Sequence, residues 1–160
     1  MNSVSIIGKQ PCLKSAIPAA LAWAMNVNAN VLSSGRPLSA WQAADAIEVG
    51  VKKPEAVRIL RVQSLPEPDC TDLRRIAAQC GLDLGKSAGM ALGYAVLICH
   101  SALGERRVLR HELRHVAQFE VAGGLNLFLD EYLTQVGHYG YRDAPFEIDA
   151  RRHERRLGAT

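Results

Sequence analysis

The chain has 160 residues, 48% of them hydrophobic and 22% charged, with 13 Gly and 7 Pro. That length suits one domain better than two, the apolar share excludes a disordered chain, and glycine and proline without a three-residue period exclude a collagenous one. The net charge of +3 is spread evenly: residues 1–105 carry 10 basic and 8 acidic side chains, and residues 106–160 carry 9 and 8.

With no strongly basic half, neither a nucleic-acid arm nor a polybasic membrane tail is expected. The densest run, Arg151-Arg152-His153-Glu154-Arg155-Arg156, reads as a solvated last helix whose cations favour the negative end of the helix dipole. Cys12, Cys70, Cys80 and Cys99 are too dispersed for a disulfide framework and form no CxxC pair, so free thiols are expected. The apolar stretch Ala16–Met25 is ten residues long, short of the ~20 a spanning helix needs. It also makes a poor signal peptide. The expectation is a cytoplasmic protein without a membrane segment.

A first helix is predicted from Ser15 to Leu32, with Leu13, Ile17, Leu21, Ala24, Asn28 and Val31 recurring at helical spacing and Pro18 in the first turn. Ser39 starts a second helix, with Gln42 in capping-box position and Trp41, Ala44 and Ile47 on one face, ending at Gly50. Val57–Val62 reads as a strand closed by Pro66-Glu-Pro68. Asp69 or Thr71 caps a third helix with Leu73, Ile76, Ala77 and Cys80 inside. Met90–Cys99 is an apolar run around Gly93 that reads as a second strand. A long helix follows from Glu105 to Val121, then one from Asn126 to Val136, a loop from Gly137 to Pro145, and a last helix opened by Pro145. Residues 1–160 therefore read as one α+β domain, helix-rich with a small sheet.

The long helix contains His111-Glu112-Leu113-Arg114-His115, an HExxH motif. Histidines at i and i+4 lie about 40° apart around a helix and one turn along it, so both imidazoles can converge on one ion. Glu112 sits about 100° from His111, better placed to contact a metal-bound water than to be a third ligand. Leu109, Leu113 and Val116 cluster opposite the histidines, which anchors the helix and turns the ligands toward a cleft.

A tetrahedral catalytic zinc site takes three protein ligands. No cysteine lies downstream of the motif; His138 falls in the glycine-rich loop, and the acids available are Glu120, Asp130, Glu131, Asp143, Glu147, Asp149 and Glu154. Glu120 lies on the same helix five residues past His115, and Glu131 has no flanking signal. Glu147 has the best setting, in the first turn of the last helix with small Ala150 beyond it. The same position also suits a plain dipole-complementing acid paired with Arg151 at i+4.

The segments His111-Glu-Leu-Arg-His-Val-Ala-Gln-Phe-Glu, Gly123-Gly124, Phe128-Leu-Asp-Glu-Tyr132-Leu, Tyr141 and Ala144-Pro-Phe-Glu147-Ile-Asp-Ala150 resemble small bacterial zincin-type metallopeptidase domains of the gluzincin kind. The resemblance covers about residues 90–152. It implies a zincin-like fold, His111, His115 and Glu147 as zinc ligands, Glu112 as general base, and peptide or protein substrates. It also implies that Met90–Cys99 is the edge strand that borders the cleft and pairs with an extended peptide. In one departure, Arg151 stands where larger gluzincins place an acid that orients the first histidine; Asp143 and Asp149 are nearby substitutes. His138, Tyr139 and Tyr141 are candidate donors to an oxyanion. Cys99 before His100 reads as a buried cysteine, not a nucleophile. The function expected is zinc-dependent peptide hydrolysis; the alternative is a zinc-binding domain without turnover, used for structure or partner binding.

Overall fold

Residues 13–102 and 104–155 are described by a computed structural model of the chain. Ala95–Cys99 is buried at every position, as a strand covered on both faces must be. It lies inside a mixed sheet ordered β1-β2-β4-β3. Here β1 is Arg36–Pro37, β2 Arg58–Val62, β3 Gly89–Leu92 and β4 Ala95–Cys99. β2 runs parallel to β4, pairing Arg58 with Ala95 and Val62 with Cys99, while β3 is antiparallel to β4.

The side-chain alternation of β4 divides the apolar interior in two. Ala95, Leu97 and Cys99 point into a cluster built with helices α1 (Leu13–Ser34), α3 (Thr71–Gln79) and α5 (Leu125–Tyr139). Val96 and Ile98 point the other way, into a cluster with α2 (Ala40–Glu48) and α4 (Glu105–Ala122). The short α6 (Pro145–Arg152) lies against α4. The helix-rich α+β class is what the sequence predicted. Among the described residues no helix is long and apolar enough to cross a membrane.

Four local expectations are corrected. Met90–Cys99 is a hairpin, not one strand, because Gly93 takes φ +65° and turns the chain back. Of the two hairpin strands, β3 alone lies at a sheet edge, opposite β1. In α2, Trp41 and Ile47 are 47% and 63% exposed, whereas Asp45 and Ala46 are buried; the pairing of Asp45 with arginines of α4, described below, sets the rotation of the helix. Gly137, His138 and Tyr139 belong to α5, which stops at Gly140 with φ +78°. Cys70, not Asp69 or Thr71, stands at the N-cap of α3. In addition, α1 begins at Leu13, so Pro18 falls inside the helix and not in its first turn. Cys70, Cys80 and Cys99 are free thiols, and Cys12 lies outside the described residues.

α2 is fastened to α4 by charge. Asp45, 1% exposed, accepts hydrogen bonds from Arg110 Nη1 at 2.9 Å and from Arg106 Nε at 2.7 Å. Burial alone raises the Asp45 pKa, but the bonds and charges of Arg106 and Arg110 outweigh it and hold the carboxyl below its ordinary value. Removing one partner of a buried pair strands the other charge, so Asp45→Asn is expected to cost about 3 kcal/mol in urea unfolding at pH 7. Because the folded pKa is depressed, this contribution is complete above the unfolded value of ~3.9 and is lost as pH falls through the folded one. The gap between wild type and Asp45→Asn should accordingly stay constant at neutral pH and close below about pH 4.

Candidate metal centre

The apolar stripe of α4 decides where its motif points. Leu109, Leu113 and Val116 are at most 1% exposed and pack under the sheet. His111, Glu112 and His115 are thereby turned to the opposite side, where they line a cavity together with Tyr141 and Glu147. His111 and Glu112 also line an open cleft of about 660 Å³ between α4 and the segment leading into β3.

Three groups converge there. His111 Nε2 and His115 Nε2 are 3.1 Å apart, His111 Nε2 lies 3.1 Å from Glu147 Oε2, and His115 Nε2 lies 3.2 Å from Glu147 Oε1. Ligands about 2.0–2.1 Å from a tetrahedral zinc ion sit roughly 3.3 Å from one another. Glu147 is 1% exposed, and its buried Oε2 makes no well-aligned hydrogen bond, with His111 Nε2 as its near neighbour at 3.1 Å. The donor set is of the kind zinc takes. Among the described residues no other His, Cys, Asp or Glu joins the group.

Helix α6 reaches this position through a polar clamp on α4. Arg114 Nε donates to Asp149 Oδ2 at 2.7 Å, and Gln118 Nε2 donates to the same oxygen at 2.8 Å and to the Phe146 carbonyl at 3.0 Å. Ala150 is fully buried and leaves room for the close approach. Since both acceptors of Gln118 fix its amide nitrogen, its Oε1 must be the atom 2.8 Å from His115 Nδ1. His115 Nδ1 therefore donates to Gln118, and its Nε2 is turned toward the centre. On the other side, His111 Nδ1 lies 3.2 Å from Glu154 Oε1.

α5 supplies the rest. Tyr132 donates to Glu147 Oε1 at 2.9 Å, and Phe128 stacks between Tyr132 and Phe146 with ring centroids at 5.8 and 5.6 Å. Gln135 Oε1 accepts the Phe146 N–H at 2.8 Å. Gly89 in β3 admits Glu112: a Cβ there would lie 2.9 Å from Glu112 Cγ, Glu112 Oε1 and Val108 Cγ1.

Protonation follows from this packing. Burial lowers the His111 pKa, but Glu147, Glu112 and Glu154 around it more than compensate and lift it to about 9. Burial raises the Glu147 pKa, yet the two histidines pull it well below the usual carboxylate range. Glu112 goes the other way: burial raises its pKa and the histidines only partly oppose this. The Tyr141 phenol is pushed far up by burial and by the charges of Glu147 and Glu112, so it stays a donor.

No family model matches the chain, and no curated protein or solved structure matches it either.

The structure brings His111, His115 and Glu147 together and sets Glu112 beside them. The other acids go elsewhere. Glu120 accepts the N–H groups of Lys52 and Lys53 at 2.6 and 2.9 Å, Glu131 accepts from Gln135, Asp149 forms the clamp, and Asp130 and Asp143 are exposed. His138 and Tyr139 meet edge to face at the exposed end of α5, and of the three oxyanion candidates only Tyr141 lines the cleft. Cys99 is buried with its thiol 3.7 Å from the Ser87 carbonyl. Sequence reading assigned no site role to Gln118, Tyr132 or Gln135. Gln118 had a signal, since i+3 from His115 places it on the same helical face; Tyr132 and Gln135 act across elements and had none.

Tyr132→Phe keeps the aromatic stack but deprives Glu147 of its neutral donor. Metal-free Tyr132→Phe should unfold about 1–2 kcal/mol more easily in urea than wild type, as loss of a buried bond to a charged acceptor implies.

Proposed function

We propose that the chain is a zinc-dependent metallopeptidase of the zincin type, with His111, His115 and Glu147 as zinc ligands and Glu112 as the general base. The observation that carries the proposal is the convergence of His111 Nε2, His115 Nε2 and the buried Glu147 carboxylate at 3.1–3.2 Å from one another. Zinc, when bound, supplies a Lewis acid that polarises a carbonyl and acidifies water. The protein's own groups do the rest. Glu112 takes a proton from the attacking water and returns it to the leaving amine; its raised pKa brings it nearer to the working range of a general base. Tyr141 remains protonated at the cleft wall and donates to the carbonyl oxygen as it gains charge. The edge strand β3 offers backbone groups to an extended peptide.

A closed, structural zinc site would need a fourth protein ligand, and none joins the group among the described residues. An open cleft at His111 and Glu112 also favours turnover over a purely structural role.

The protein is expected to bind one zinc per chain, measured by elemental analysis, and His111→Ala with His115→Ala to abolish it; metal retained by the double variant would refute the site. Glu112→Gln should keep zinc and fold normally, because a glutamine side chain is isosteric with glutamate but cannot take up a proton. Chelator-sensitive cleavage of a mixed peptide library should fall about 10²–10⁴-fold in that variant. Equal cleavage by wild type and variant would remove Glu112 from the chemistry, and zinc bound without cleavage by either would favour the non-catalytic alternative.

A further inference from the structure

The residue before the first histidine is an arginine that is 2% exposed. Burying a guanidinium is costly unless every donor finds a partner, and the partners of Arg110 fall in two places. Nη1 donates to Asp45 Oδ1 at 2.9 Å and to Glu48 Oε2 at 3.2 Å, both on α2. Nε donates to the His153 carbonyl at 3.0 Å and Nη2 to the Arg155 carbonyl at 3.3 Å. Those two carbonyls bracket Glu154. Holding the chain on both sides of one residue fixes the direction of its side chain. Glu154 turns inward, 18% exposed, with Oε1 3.2 Å from His111 Nδ1 and Oε2 paired to Arg107.

The other acids near His111 are excluded from this role. Asp143 is exposed, Asp149 is bound by Arg114 and Gln118, and the residue four after Glu147 is Arg151, 3.9 Å from Glu147.

Resting on the zinc reading, we propose that Glu154 is the positioning residue of His111, and that the buried Asp45–Arg110 pair tethers residues 153–155 to hold it there. A carboxylate on Nδ1–H fixes the tautomer and the ring, leaving Nε2 to bind metal as a stronger base. The role is thereby moved from the ligand-bearing helix to the segment after it, and α2 becomes part of the site's support.

The test uses the full chain with Glu154→Ala, Glu154→Gln and Arg110→Lys. Zinc affinity is measured by competition with a chromophoric chelator, unfolding of the metal-free protein by urea, and the His111 Nδ1–H by its NMR signal and solvent exchange. Glu154→Ala should weaken zinc binding about 10–100-fold and abolish the protected Nδ1–H signal, with little change in the metal-free urea midpoint. Glu154→Gln still offers an accepting oxygen and should recover most of the affinity. Arg110→Lys keeps the charge opposite Asp45 but lacks the fork that spans both carbonyls, so its zinc affinity should fall as in Glu154→Ala. Undiminished affinity in Glu154→Ala, or Gln no better than Ala, overturns the positioning role; wild-type affinity in a folded Arg110→Lys overturns the tether. A wild-type chain that binds no zinc, yet shows an Nδ1–H signal that Glu154→Ala loses, refutes the metal reading and leaves the positioning of His111 standing.

Discussion

The bridge from Arg114 and Gln118 to Asp149 is the constraint on which the site depends. It spans α4 and α6 with hydrogen bonds of 2.7 and 2.8 Å to a single carboxylate oxygen. With α6 so fixed, and with Ala150 fully buried at the crossing, the first turn of that helix can go only over the two histidines. Glu147 thereby enters a place where its charge is met by His111 and His115 rather than by water. Gln118 serves twice, since the amide that bonds α6 also turns its oxygen to His115 Nδ1. One side chain couples the position of the helix to the orientation of the His115 ring.

Two carboxylates on this wall shift in opposite directions, because the histidines overcome burial at one and not at the other. Glu147 receives both imidazoles at hydrogen-bonding range, so its burial is outweighed and it stays charged. Glu112 is equally buried, but among the described residues it accepts no hydrogen bond, and desolvation dominates. A pair of acids with diverging affinities for the proton is a common basis for dividing ligand and proton-carrier roles. The divergence of the two acids arises here from which one the helix geometry lets touch the imidazoles.

The N-terminal half enters the site indirectly. Both faces of β4 are covered, one by α1, α3 and α5 and the other by α2 and α4. α1 and α3 contribute Trp23, Leu73 and Ala77 to the apolar cavity beneath the histidines, and the loop before β3 walls the open cleft. α2 turns its charged residue inward and its tryptophan outward, the reverse of a hydrophobic-stripe reading, because Arg110 and Arg106 make Asp45 the better residue to bury. Arg106 also stands 5.3 Å over the exposed Trp41 ring.

On α4 the sequence by itself determined what local periodicity governs. The spacing of Leu109, Leu113 and Val116 against His111 and His115 fixed which side of α4 is buried and which is offered to the cleft, since both follow from 3.6 residues per turn. Pro145 marked the start of α6. Where elements meet was not legible. Gly93 reversing a continuous apolar run, α5 continuing through Gly137, and Glu154 leaving an apparently solvated run to face His111 depend on partners far along the chain. Glu147 had the right local setting for a ligand and for a dipole-complementing acid alike. The α4–α6 crossing is what sets it 3.1–3.2 Å from His111 and His115, and distance across an interface is a property of packing that no local spacing encodes.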